Sequence, residues 1–189
     1  MKIIVLSSSI LYFIMNVASC SQGDPEPTPS PSALVFTDAS FSIGEPIPAK
    51  YTCAVSQQKF PMFKWVPSAK KTSSYVLIMD DPDAVPVVGY VWNHWLLYNI
   101  PSDVNLIPEG TDIYGPLPSG VVRGKTSFGD TAYGGPCPPT GQKHTYVFTL
   151  YGLDMTDIGV GKGATSAQVR SAMKGHILDS TVYKGTCIR

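Results

Sequence analysis

Charge is scarce in this sequence: Asp, Glu, Lys and Arg make up 15% of its 189 residues, where roughly 25% is usual for a soluble domain. What charge there is cancels, with 14 basic against 14 acidic side chains. No global field exists to draw the protein to a polyanion, and a nucleic-acid partner is not expected. The signatures of several common chemistries are missing as well: there is no G-x-S-x-G elbow, no H-E-x-x-H and no P-loop. No internal repeat is found. Nor is there an apolar run fit to span a membrane. The best candidate, Ile3 to Val17, is broken by Ser7, Ser8, Ser9 and Asn16 and falls short of the ~20 residues that a spanning helix needs.

That stretch, preceded by Lys2, reads instead as an export signal. It ends in Val17-Ala18-Ser19-Cys20, similar to the bacterial lipobox in which the Cys becomes the lipid-modified first residue of the mature protein. An ordinary signal peptide cut near Ala18 is the alternative. Residues 21–32, SQGDPEPTPSPS, carry proline at every second position from Pro25 to Pro31, a composition that buries no core and prefers polyproline II. At about 3.1 Å per residue, this spacer would hold a domain on the order of 35 Å from an anchor. The expected organisation is a signal peptide over 1–20, a linker over 21–32 and one domain over 33–189. With Cys20 lipidated, the domain would be membrane-anchored in the cell envelope and face out of the cytoplasm; otherwise it would be secreted or periplasmic.

Glycine and proline number 17 each, enough to punctuate many short elements. From Ala33 onward the apolar runs are short and close on turn residues, the mark of strands. The clearest are residues 74–80, 91–100 and 144–153. On the second, period-two geometry puts Trp92, His94, Leu96 and Tyr98 on one face and Val91, Asn93, Trp95 and Leu97 on the other. Both faces are largely apolar, which predicts a central strand. On the third, His144, Tyr146, Phe148 and Leu150 share a face. One helix is expected, opened by the capping box of Thr165 and Gln168 and carried on by Val169, Met173 and Ile177, with Gly175 inside it. A last strand over 180–188 closes the chain.

Two segments carry a resemblance. DDPDAVPVVGYVWNHWLLYNIP, from Asp80 to Pro101, resembles the D-P-D-A-P loop and W-x-H-W strand of the phosphatidylethanolamine-binding (Raf-kinase-inhibitor-like) protein family. YGGPCPPTGQKHTYVFTLYGLD, from Tyr133 to Asp154, resembles the G-P-x-P-P-x-G and H-x-Y motifs in the spelling of the bacterial branch. Phe128-Gly129, IPAKYTC and GHIL fall where that branch has similar residues. The resemblance implies a mainly β fold, two antiparallel sheets in a sandwich, with a short C-terminal helix. It also implies a small surface pocket lined by Asp81, Trp92, His94, His144 and Tyr146. Gly135, Pro136 and Pro138 would form one wall, and Asp83, on the loop beside Asp81, would join the ligand-binding set.

The residue types suit such a pocket. His94, His144 and Tyr146 could surround an anionic oxygen, because imidazole offers one N–H when neutral and two when protonated, and Tyr offers a hydroxyl. If the protonated rings bind the ligand, affinity should fall as pH rises through about 6 to 7. Asp81 would fix a His tautomer or accept a ligand ammonium. The expected ligand is a small anion or a phospholipid headgroup of the phosphate or phosphoethanolamine kind. Several departures from the family pattern bear on it: Phe60-Pro61-Met62-Phe63 replaces S-P-P-L, Val85 splits the Ala-Pro of the first loop, and Gln142-Lys143 places a cation near the mouth.

Other readings fit less well. Asp81, His94 and His144 could suggest a two-His-one-carboxylate iron site, but the H-x-D spacing typical of that set is absent, and no metal or cofactor is expected. Cys137 could be imagined as a nucleophile paired with His144, although a Cys between prolines is more often a packed small residue; binding rather than catalysis is expected. The runner-up is a protein-interaction module that inhibits a peptidase or another envelope partner. Beyond Cys20 the cysteines are Cys53, Cys137 and Cys187, an odd number. Cys187 replaces the Tyr of the family's closing G-x-Y, which favours a bridge between Cys53 and Cys187.

Overall fold

The computed structural model describes residues 33–189; Cys20, the signal segment and the proline-rich linker lie outside them. Strand β1 (Val35–Ala39) pairs with β2 (Phe63–Val66), and β2 with β5 (Leu106–Ile107), in a three-stranded antiparallel sheet. The second sheet has five strands in the order β6 (Val122–Arg123), β4 (Trp92–Pro101), β3 (Ser74–Asp81), β7 (Lys143–Leu153) and β8 (Ile177–Ile188). All its neighbours are antiparallel. The fold is thus mainly β, with two antiparallel sheets, as expected.

The run SYVLIMDD forms the central strand β3 because it is apolar on both faces, and nearly every residue of it is buried. Tyr75, Leu77 and Met79 face the smaller sheet and join Phe63, Trp65, Phe148 and Leu150 in an aromatic-rich core. Val76 and Ile78 face the other way, where Val169 and Met173 cover them. Helix α2 (Ser166–Ala172) supplies Val169, and both hydrogen bonds of the Thr165–Gln168 capping box are present. The helix is shorter than its periodicity suggests. Gly175 adopts the left-handed region at φ 88°, a conformation that costs glycine little and stops the helix. Ile177 therefore opens β8 instead of extending α2, and that strand begins three residues before the expected Ser180.

Alternation along β4 is interrupted twice. Met79 pairs with Trp95 and Asp80 with Asn93, so one step on β3 matches two on β4 and His94 is the extra residue of a bulge. The consequence corrects the expected faces. Trp95 and Leu97 point into the core between the sheets, whereas Leu96 and Tyr98 point toward α2. His94 meets the Tyr146 ring edge-on at 5.1 Å between centroids, and so lies on the side of the first core and not with Leu96. Asn99, at φ 53°, marks the second interruption.

Candidate functional site

The bulge matters because it aims His94 at the end of β3. Asp81 closes that strand and caps the 3-10 turn Pro82–Ala84, its Oδ1 accepting from the Ala84 N–H at 3.1 Å. The other oxygen, Oδ2, accepts from His144 Nδ1 at 2.7 Å and stands 3.9 Å from His94 Nε2. Strand β3 lies between β4 and β7, so its terminal carboxylate falls between a His from each neighbour. The three residues are only 3 to 4% exposed.

Hydrogen-bond partners assign the ring hydrogens. His94 Nδ1 is 2.7 Å from the Gly134 carbonyl oxygen; a carbonyl can only accept, so Nδ1 carries the hydrogen and Nε2 keeps a lone pair. Burial holds the His94 pKa down at about 4, outweighing the upward pull of the Gly134 carbonyl and Asp81, while His144 lowers it further. His94 is therefore neutral at physiological pH. A pH dependence that rests on its protonation between pH 6 and 7, as its residue type suggests, does not hold for this ring. His144 gives its Nδ1 hydrogen to Asp81, and its Nε2 lies 3.1 Å from the side-chain oxygen of Gln142.

These groups floor a pocket of about 260 Å³, the size of a headgroup more than of a drug-sized ligand. Trp92 and Phe128 form one side, edge to face at 5.3 Å, and Pro138 and Pro139 the other. Val87 and Val88 of the short helix α1 (Val85–Val88) cover a third side. Val85, which splits the family's Ala-Pro, starts that helix. Arg189 brings a cation to the opening, its Nη1 3.5 Å from Cys137 Sγ.

Of the residues expected at the site, Asp81, Trp92, His94, Pro138 and His144 line the pocket. Four do not. Asp83 turns away, and its Oδ2 accepts from the Thr145 N–H at 2.7 Å, stapling the turn to β7. Gly135 and Pro136 stand behind the wall: the Gly135 N–H donates to Gln58 Oε1 at 3.1 Å, and the Pro136 carbonyl accepts from the Cys53 N–H at 3.0 Å. Tyr146 lies in the core, its hydroxyl buried without a hydrogen-bond partner. Burial, and then the charge of Asp81, push that phenol far up, so it stays protonated. Lys143 is exposed and does not line the pocket; Arg189 supplies the cation expected there. Arg189, Phe128, Val87, Val88 and Pro139 were not anticipated as lining residues. Phe128 and Pro139 had a signal, each in its match to a family motif.

The expected Cys53–Cys187 bridge is overturned. Cys53 is bonded to Cys137, with Cα atoms 5.4 Å apart, and Cys187 is free among the described residues. The backbone bond from Cys53 to Pro136 places Cys53 beside the proline loop, whereas Cys187 lies opposite His144 on β8. Cys137 consequently has no thiol to offer as a nucleophile.

A larger cleft, about 620 Å³, opens on the other side of Asn93. Two of its charged groups satisfy each other: Arg170 pairs with Asp80 and also reaches Tyr151 and Ser166, and Asn93 Nδ2 donates to Asp80 at 3.1 Å. That network ties α2 to the sheet. The smaller pocket, with its convergent polar floor and open lip, is the better candidate for a ligand.

A two-sheet antiparallel sandwich whose central strand ends in a buried carboxylate between two histidines, under an apolar lip, defines a small-ligand pocket protein. Residues 37–188 match the family model described as phosphatidylethanolamine-binding protein, and the chain belongs to that family. A UPF0098 protein of Methanothermobacter thermautotrophicus is 41% identical over 132 residues, 70% of this chain and 83% of that protein. A phosphatidylethanolamine-binding protein homolog from Chlamydia trachomatis, known from its crystal structure, superposes with a TM-score of 0.72 at 33% identity, over 84% of this chain and 99% of its own. Escherichia coli YbcL, described as a member of the mammalian family, gives a TM-score of 0.72 at 25% identity, over 83% and 98%.

Proposed function

We propose that this protein is a binding module of the cell envelope that takes a small phosphate-bearing ligand, free or as a phospholipid headgroup, into the Asp81–His94–His144 pocket. The observation that carries this reading is the convergence of three buried polar side chains at the base of an open pocket with Arg189 at its mouth. Buried polar groups that face a cavity call for a partner. The cation at the lip favours an anionic one. An apolar rim of Val87, Val88 and Phe128, all well exposed, suits the carbon part of an ester or lipid.

Titration calorimetry with inorganic phosphate and phosphoethanolamine tests this. Wild type should bind at least one of them at millimolar concentration or better, and His144→Ala should weaken binding at least tenfold, because Asp81 then loses its buried hydrogen-bond partner. Absence of binding by wild type, or an unaffected variant, would count against the reading. The same exposed rim also supports a second reading, in which a peptidase or another envelope protein docks there; ligand-independent complex formation that Val87→Asp abolishes would favour it.

The envelope location is part of the proposal. The disulfide is at home in an oxidising compartment, and the Cys20 lipobox and its spacer suit a tethered domain. In detergent partitioning, intact protein should enter the detergent phase and Cys20→Ser should not. A soluble mature chain beginning at Ser19 would remove the anchor.

A further inference from the structure

Resting on the phosphate-pocket reading, we propose that the site admits an oxyanion only with a hydrogen carried by the ligand itself, on the phosphate or on the ammonium of an ethanolamine headgroup, so that phosphate is accepted and sulfate refused, with Asp81 as the specificity-determining residue.

The hydrogen-bonding inventory of the floor is the reason. Both oxygens of Asp81 act as acceptors, one from the Ala84 N–H and one from His144 Nδ1. Across 3.9 Å stands His94 Nε2, a lone pair as well, because Gly134 has taken the ring hydrogen. Two acceptors thus face each other with no hydrogen between them. A ligand hydroxyl placed there donates to Asp81 Oδ2 or to His94 Nε2. A bare anionic oxygen meets a carboxylate and a lone pair at a buried floor, where such a mismatch costs most.

The other charged and titratable groups around Asp81 do not change this. His144, from β7, has both ring nitrogens engaged, Nδ1 with Asp81 and Nε2 with the side-chain oxygen of Gln142 at 3.1 Å, so neither is turned to the gap between Asp81 and His94. The Tyr146 hydroxyl is buried close to Asp81, has no hydrogen-bond partner and does not line the pocket. Arg189, at the mouth, is the group placed to balance the ligand's remaining negative oxygens. Burial keeps His94 neutral across the physiological range, so the hydrogen must come in with the ligand. A site built to pair with a ligand hydroxyl rejects an isostere that lacks it far more strongly than an apolar pocket rejects a missing methylene.

Three probes read this out by calorimetry on the purified chain between pH 6 and 8: inorganic phosphate, methyl phosphate and sulfate. Sulfate carries no hydrogen at any of these pH values. Inorganic phosphate keeps at least one throughout. Methyl phosphate loses its last one above its second pKa of about 6. Phosphate should bind at least about a hundredfold tighter than sulfate. Methyl phosphate should weaken toward about tenfold per pH unit above its second pKa, while phosphate falls much less. In Asp81→Asn, whose amide can donate where the carboxylate only accepts, the gap between phosphate and sulfate should shrink below tenfold. Equal binding of sulfate and phosphate by wild type would overturn this inference and leave the phosphate pocket standing. Binding of none of the three would remove both. The comparison of ligands on wild type does not depend on the variant folding.

Discussion

Removing the Cys53–Cys137 bond, by reduction or by replacing both cysteines with Ala, should destabilise the domain by about 4 to 5 kcal/mol. The bond joins residues 84 apart in sequence, and in the chain-entropy account a loop of that length withdraws roughly this much freedom from the unfolded state. Few single features match that, since a whole domain is stable by only about 5 to 15 kcal/mol. Denaturant unfolding with and without reductant measures the difference, and Cys187→Ser should unfold as wild type does. A midpoint that does not respond to reductant, or peptide mapping that links Cys187 to either partner, would overturn the assignment.

The loss should reach the pocket as well as the fold. Cys137 and Pro138 line the cavity, and the loop that carries them is held against the segment after the 3-10 turn Ala49–Tyr51 by a short row of contacts. These are the disulfide, the Cys53 to Pro136 backbone bond, the Gly135 to Gln58 bond and the hydrogen bond from the Tyr133 hydroxyl to the Tyr51 carbonyl at 2.9 Å. Gly135 is glycine for a related reason: a Cβ there would stand 2.3 Å from Gln58 Oε1 and 2.7 Å from the Tyr51 carbonyl oxygen. The wall is therefore positioned by the first third of the domain, and the covalent bond is its strongest tie.

Much of this was legible in the order of residues. Alternation along residues 144–153 correctly put His144, Tyr146, Phe148 and Leu150 on one face, and the Thr165–Gln168 pair correctly opened the helix. The pocket came through the two motifs, because Asp81, Trp92, His94 and His144 sit at strand ends that the sheet order makes neighbours. What the sequence hid was geometry that alternation does not encode. The bulge at His94 carries no glycine to announce it, yet it shifts the phase of the residues from Trp95 to Tyr98. Asp83 matches the motif as well as Asp81 does, but only the 3-10 turn determines that its carboxylate caps Thr145 and leaves the ligand side to Asp81. Tyr146 has a polar tip that the register buries outside the pocket lining. Arg189 reaches the mouth because β8 runs the full length of β7 and ends beside His144, a long-range pairing with no local signature. The same pairing leaves Cys187 opposite His144 and away from Cys53, which is why the family-based expectation for the bridge failed.

Acid should destabilise this protein well before its carboxylates are all protonated, and His94 should be the reason. In the unfolded chain the ring has an ordinary pKa near 6.5; in the folded protein burial holds it at about 4. A base whose folded pKa is depressed contributes no pH dependence above its unfolded value, where it is neutral in both states. Between about 6.5 and 4 only the unfolded chain takes up the proton, so stability falls as pH falls, and below 4 the loss is complete. At about 1.4 kcal/mol per pH unit over this window, the cost is on the order of 3 kcal/mol. Other groups titrate in the same range, and the comparison with His94→Asn isolates this one. The variant should be somewhat less stable at pH 7.5, because it loses the imidazole's packing against Tyr146 and Phe128, but its stability should fall less steeply between pH 6.5 and 4. If the two proteins lose stability in parallel over that window, His94 is not the buried neutral base that its contacts describe, and its Nε2 would no longer be the lone pair that faces Asp81 across the pocket.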